Sequence, residues 1–280
     1  MSDEKKKILV PTDFTKVADC AMNHAMKLAE RTNGEVFLFH VVDKPAHIDE
    51  AMTKLTMEVG RARVWSANVT VTPLVRVGSV YEDIGVAAAE IGATLIIMGT
   101  HGMRGMQFIT GSRALRVITN STVPFIVVQE RNVKEAGYRD IVVPMDLHKE
   151  TRHKLTLVAD MAQYFKSRVH LVVAKESDEF LHNQLVNHMK FANTYLKGRG
   201  VEHESAILDE GSDDFVKGVI RYAVKVDADL IAIVNMLQES LFGVLGVPNE
   251  QEIITNEPMV PVMCMNPLNN TVSNMPVWGP

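Results

Sequence analysis

Short runs in which nearly every residue is apolar alternate, along the first half of this chain, with longer stretches in which apolar residues recur every three or four positions. Ile8 to Val10, Val36 to Val42, Leu95 to Met98 and Val123 to Val128 are runs of the first kind. Such runs fit strands of a parallel sheet, buried on both faces rather than half-solvated. After the first of them, Ala18, Ala21, Met22, Ala25, Leu28 and Ala29 fall on one face of a helix. Thr15 is placed to cap its start and Asn33-Gly34 to end it in a left-handed turn. The helical pattern returns from Ile48 to about Ser66, and Val69 to Val77 reads as a strand whose alternation Pro73 weakens. Ser79 and Glu82 spell a capping box for a helix running to Gly92, with Ile84, Ala87, Ala88 and Ile91 facing inward. Parallel strands need crossover connections, and alternation of β and α at these lengths predicts an α/β fold with a doubly wound parallel sheet.

The strand ending at Met98 runs into glycines at 99, 102 and 105, and Gly111-Ser112 then opens a short helix through Ile118. Glycines permit positive φ and close backbone approach, and free N–H groups at a helix start favour an anion, so the stretch suits a phosphate. Neither the G-x-x-x-x-G-K-[ST] loop nor the dinucleotide G-x-G-x-x-G is present.

Laid against itself, the chain repeats. Ile8 to Asp13 recurs as Ile141 to Asp146, and Val36 as Val169, both at an offset of 133; Gly78-Ser79 recurs as Gly211-Ser212 at the same offset. Ala93 to Met98 returns as Ala228 to Ile233, and Val123-Pro124 as Val260-Pro261. Two copies of one domain are expected, 1–132 and 139–267, joined near Arg131 to Tyr138, with 268–280 as an irregular tail. The copies differ at the loop. Aligned on Ile118 to Asn120 and Ile254 to Asn256, Gly111-Ser112 falls opposite Val247-Pro248, where proline offers no N–H and Glu250 and Glu252 add negative charge.

The glycine stretch resembles the nucleotide loop of the universal stress protein family, G-x-x-G, nine residues, then G-[ST]; here eight residues separate Gly102 from Gly111. One residue fewer shifts backbone donors by up to about 3.5 Å. The resemblance covers both copies and implies a tandem protein of two Rossmann-like domains, of the adenine nucleotide alpha hydrolase type, that binds ATP, with or without Mg2+, in the first copy only. It implies that Pro11, Thr12 and Asp13 hold base and ribose and that Val41 contributes backbone to the adenine edge. Met98 and Gly99 would border the ribose; Gly102, Gly111, Ser112 and Arg113 would take the phosphates. Local readings stand beside these: Asp13 as a helix cap, Gly99 as an ordinary turn glycine, Ser112 as an N-cap, Arg104 and Arg113 as solvated surface, His40 and His101 as structural histidines. The family comparison also implies an intramolecular pseudo-dimer, in which the terminal strands of the two sheets cover one another's edges, or a homodimer.

Composition narrows the choice of partner. The 280 residues carry a net charge of -5 with no basic run beyond Lys5 to Lys7, which gives no footprint for nucleic acid or an anionic membrane. Cys20 and Cys264 match no metal or redox spacing and read as buried free thiols. No stretch approaches eighteen apolar residues and Ile8 to Val10 is too short for a signal segment, so a cytoplasmic protein is expected. No Ser/His/Asp set, CxxC or HExxH pattern occurs, and Asp13 is the one carboxylate expected near the phosphates. The sequence thus favours a nucleotide-binding regulatory protein with slow hydrolysis at most, against an interaction module that binds no nucleotide or a hydrolase on the same sheet.

Overall fold

In the computed structural model, residues 5–100, 111–119, 121–145, 151–211, 214–234 and 247–265 are described. The chain divides into two compact units, with the main break between Val133 and Lys134 and with Cys264 and Met265 grouped in the first unit.

The first unit runs β1 (Lys7–Pro11), α1 (Lys16–Thr32), β2 (Glu35–Val42), α2 (Ile48–Ala62), β3 (Thr70–Val77), α3 (Val80–Ile91), β4 (Leu95–Gly99), α4 (Gly111–Thr119) and β5 (Phe125–Val128). Its strands lie in the order β3-β2-β1-β4-β5, and each neighbouring pair runs parallel. Ile8 to Val10 and Leu95 to Met98 are buried, as expected of strands covered by helices on both faces. All six residues of the apolar face expected on α1 are buried. Pro73 sits on β3, the outer strand, where a missing N–H removes nothing from an inner ladder.

Helix ends follow the sequence signals with one correction. Thr15 caps α1, its Oγ1 accepting from the Ala18 N–H, and Asn33 ends it in the expected left-handed turn, at φ 51°. Ser79 caps α3, but the carboxylate that reaches back to the Ser79 N–H, at 2.7 Å, is Asp83 and not Glu82. Asp83 also faces Arg76 of β3, at 3.4 Å, which Glu82 on the neighbouring face of the helix does not. Further departures are local: α2 stops at Ala62 rather than near Ser66, β5 begins at Phe125, and Ile91 is half-buried. Cys264 is buried, while Cys20 is only half-buried.

The second half of the chain comprises β6 (Asp140–Pro144), α5 (Thr151–Phe165), β7 (Arg168–Val173), α6 (Glu179–Gly198), β8 (Glu202–Ile207), α7 (Phe215–Lys225), β9 (Leu230–Val234), α8 (Val247–Ile254) and β10 (Val262–Met265). Its order, β8-β7-β6-β9-β10, is the order of the first unit. The likeness extends to single bonds: Thr12 N–H donates to the Phe39 carbonyl and Met145 N–H to the Val172 carbonyl, each at 2.8 Å. Residues 133 apart make the same contact.

Candidate functional site: a cavity at the crossover of the first sheet

In the first unit β2 and β3 lie to one side of β1 while β4 and β5 lie to the other, so successive crossovers leave in opposite directions between β1 and β4. Crevices at the carboxyl ends of strands flanking such a point are where open α/β sheets take ligands. A cavity of about 360 Å³ opens there. Its walls are Pro11, Thr12 and Asp13 after β1, His40 and Val41 of β2, Met98 and Gly99 of β4, Val17 and Ala18 of α1, and Val80, Tyr81 and Ile84 of α3. The volume is at the lower end of small-molecule sites, about 300–1,000 Å³, and the walls are mostly apolar with a few polar groups.

Each polar group is placed by local chemistry. Thr12 Oγ1 accepts the Phe14 N–H at 3.0 Å, holding Phe14 at φ 63°, an uncommon backbone for a bulky residue, where the chain turns from β1 into α1. Asp13 Oδ1 accepts from the Thr15 N–H at 3.1 Å and from Thr15 Oγ1 at 2.5 Å. The helix cap is therefore Thr15, and Asp13 supports it through one oxygen while standing in the cavity wall. The Thr12 carbonyl accepts from His40 Nδ1 at 2.7 Å, which fixes the proton on that nitrogen, and the His40 ring lies 4.6 Å from that of Phe14.

Val41 is positioned by register. Pro11 is the last residue of β1 in the ladder, paired with Phe39, and the Phe39 carbonyl accepts from Thr12. On the other side the Val42 carbonyl accepts from Gly78. Backbone groups alternate in direction along a strand, so the N–H and C=O of Val41 face the side of β2 that β1 has left. A donor and an acceptor, two bonds from each other, thus border the cavity.

Gly99 stands at the end of β4, and its φ is not among the positive ones, so the expected left-handed freedom is not what it supplies. A Cβ there would meet the Val17 carbonyl oxygen at 2.7 Å and the Val17 Cγ1 at 2.6 Å. Close approach of β4 to α1 is the reason for glycine at this position.

Of the residues singled out from sequence, Pro11, Thr12, Asp13, Val41, Met98 and Gly99 line this one cavity. Gly111, Ser112 and Arg113 form the first turn of α4, whose side chains there are not described. Gly102, with His101, Arg104 and Gly105, lies outside the described residues. Sequence reasoning missed His40, which it set aside as structural, and the α3 residues Val80, Tyr81 and Ile84. Their signal was available: Val80 and Tyr81 open a helix whose other inward residues were legible, on the side of the sheet that covers β1 and β4.

The second unit is built differently at the matching place. Lys154, at the position of Ala21, is 1% exposed, and its ammonium donates to the Pro144 carbonyl at 2.6 Å, at the end of β6. Its α8 begins at Val247, as α4 begins at Gly111, with Pro248 in the first turn. Among the described residues no three His, Cys, Asp or Glu side chains gather to hold a metal ion, and no helix is long and apolar enough to cross a membrane.

The sequence model of the universal stress protein family matches residues 5–129. The chain is 30% identical over 161 residues to Universal stress protein MJ0577 of Methanocaldococcus jannaschii, covering 47% of this chain and 99% of that protein. It is 31% identical over 142 residues to Universal stress protein MJ0531 of the same organism, covering 45% of this chain and 82% of that protein. The crystal structure of a universal stress protein from Archaeoglobus fulgidus shares the fold, with a TM-score of 0.70 at 16% identity over 94% of this chain and 97% of that one. With nearly the whole length of a 30% identical relative covered, the chain belongs to the universal stress protein family.

Proposed function

We propose that the first unit binds ATP in the cavity between β1 and β4 and that the protein acts as a nucleotide-responsive regulator. The observation that carries this reading is the pairing of Val41's unladdered N–H and C=O with the Asp13 carboxylate across one mostly apolar cavity. A donor and acceptor side by side match the edge of an adenine, and a carboxylate accepts from ribose hydroxyls. Met98 and Gly99 floor the space for the sugar, and the backbone N–H groups at the start of α4, with Gly102, Ser112 and Arg113, receive the phosphates. Asp13 is the one carboxylate in the wall, which fits a magnesium ion held chiefly by phosphate oxygens and water. Such an ion would neutralise phosphate charge; turnover would further need a group to orient water.

The second unit is read as a second domain of the family that takes no nucleotide. Pro248 lacks the N–H its counterpart Ser112 has, and Lys154 occupies the strand-end carbonyl with the protein's own cation. That the terminal strands cover one another's edges rests on the liability of an exposed edge. Cysteines at Ile126 and Met263 that fail to cross-link on oxidation would overturn it.

Calorimetric titration with ATP tests the assignment. One nucleotide per chain is expected. Gly111→Val should remove at least two hydrogen bonds to charged phosphate, each worth roughly 1.5–3 kcal/mol, and lower affinity about a hundredfold or more, while Val247→Ala should change nothing. Two nucleotides per chain, or unchanged affinity in Gly111→Val, sinks the assignment. No binding by the unaltered protein favours an interaction module, and sustained phosphate release with magnesium favours a hydrolase.

A further inference from the structure

Beyond the residues that border the cavity, one contact links its wall to the helix proposed to receive phosphate. Tyr81, in the first turn of α3, lines the cavity beside Val80 and Ile84. The guanidinium carbon of Arg116, on α4, lies 5.0 Å from the centroid of the Tyr81 ring, within the roughly 6 Å over which a cation is held by a ring face. Around it Ala114, Leu115, Val117 and Ile118 are all buried, and Arg116 is the exposed residue of that turn. It stands four residues after Ser112, on the same face of the helix.

The second unit provides the contrast. By the same alignment Asp214 takes the place of Tyr81 and Glu252 that of Arg116. Two carboxylates cannot make this contact; Asp214 instead pairs with Lys217 at 2.7 Å. A cation on an aromatic ring is present where nucleotide binding is proposed and replaced by two acids where it is not.

We infer that Arg116 is a positioning residue for the nucleotide: stacked on Tyr81, it fixes the start of α4 relative to the base and ribose cavity, so that phosphate and nucleoside are bound as one ligand. This rests on the nucleotide reading above. It separates two ligands, because adenosine fills the cavity without needing α4, whereas ATP needs both.

The test is calorimetry with adenosine and ATP on the unaltered protein, Arg116→Ala, Tyr81→Leu and the double variant. Arg116 is exposed, so its removal should leave the fold intact, which thermal unfolding checks. Arg116→Ala should weaken ATP about fivefold and adenosine less than twofold. Tyr81→Leu should weaken both, and adding Arg116→Ala to it should cost ATP nothing more. Equal losses for the two ligands, or no loss for either, overturn the inference while leaving the nucleotide reading in place. A loss of ATP affinity that persists undiminished in the Tyr81→Leu background also overturns it, since Arg116 would then act without the ring. Absence of binding by the unaltered protein overturns the nucleotide reading and this inference together.

Discussion

At the scale of the residue, Gly99 is held by close approach, since any side chain there would press on the backbone of Val17. Gly99→Ala should cost about 1–3 kcal/mol by forcing β4 and α1 apart, read as a shift in the urea midpoint. The same change moves two walls of the cavity, so it should weaken ATP as well; full stability in the variant would show that α1 can give way. Asp83 is a second such position, since it accepts the Ser79 N–H and faces the Arg76 guanidinium of β3, which also pairs with Glu90. Asp83→Ala should lower stability by about 1–2 kcal/mol through loss of the α3 cap, whereas Glu82→Ala, which the sequence pattern singled out, should do little.

At the scale of the element, the second unit carries a cluster of charged and polar groups across neighbouring strands, centred on a histidine. His170 of β7, 3% exposed, lies 2.8 Å through Nε2 from Asp140 of β6 and 2.7 Å through Nδ1 from Glu204 of β8, and the Tyr222 hydroxyl donates to Glu204 at 3.1 Å. Phe37 holds the matching place in the first unit. The hydrogen bond from His170 keeps the Glu204 carboxyl below its usual value, with the Tyr222 bond adding to it. A group held lower in the folded state than in the unfolded chain contributes stability above the ordinary glutamate value of about 4.3, and that contribution is lost as pH falls through the lower folded value. Stability of the second unit should therefore fall on acidification below about pH 4.3. In Glu204→Gln that part of the fall should shrink, as seen in urea midpoints taken at several pH values; an identical acid dependence would remove Glu204 as its source.

At the scale of the whole molecule, two units of one strand order have been tied to the connecting segment by different side chains. In the first, His24 Nε2 lies 2.9 Å from the Arg131 carbonyl and Asn23 accepts the Val133 N–H at 3.2 Å. In the second, Asp229 accepts the N–H groups of Arg139 and Asp140, at 2.8 and 3.1 Å, with the Lys134 ammonium 2.8 Å from its other oxygen. Asp229 is buried, so Asp229→Ala leaves two backbone donors without their acceptor, at about 1–3 kcal/mol each. Hydrogen exchange should quicken in β6 and β9 and stay unchanged in β1 and β4; equal quickening in both units would mean that they unfold as one.

The sequence by itself determined the strands, the helices and the repeat, because each is written in residues that are neighbours along the chain or recur at a fixed offset. Apolar runs, the spacing of alanines on α1, Thr15 as a cap and the offset of 133 all depend on short-range geometry. The residues at the carboxyl ends of β1 and β4 came instead from the resemblance to the family, and the strand order places them beside one crevice. Only the tertiary structure decided what comes between those ends. That Gly99 is needed for contact with Val17, that Asp83 and not Glu82 returns to Ser79, and that Lys154 closes on Pro144 are facts about residues on different elements. Tyr81 and Arg116 are 35 positions apart and carry no mutual pattern in the chain. Their meeting is set by how α3 and α4 pack on a common sheet, a distance that no local propensity encodes.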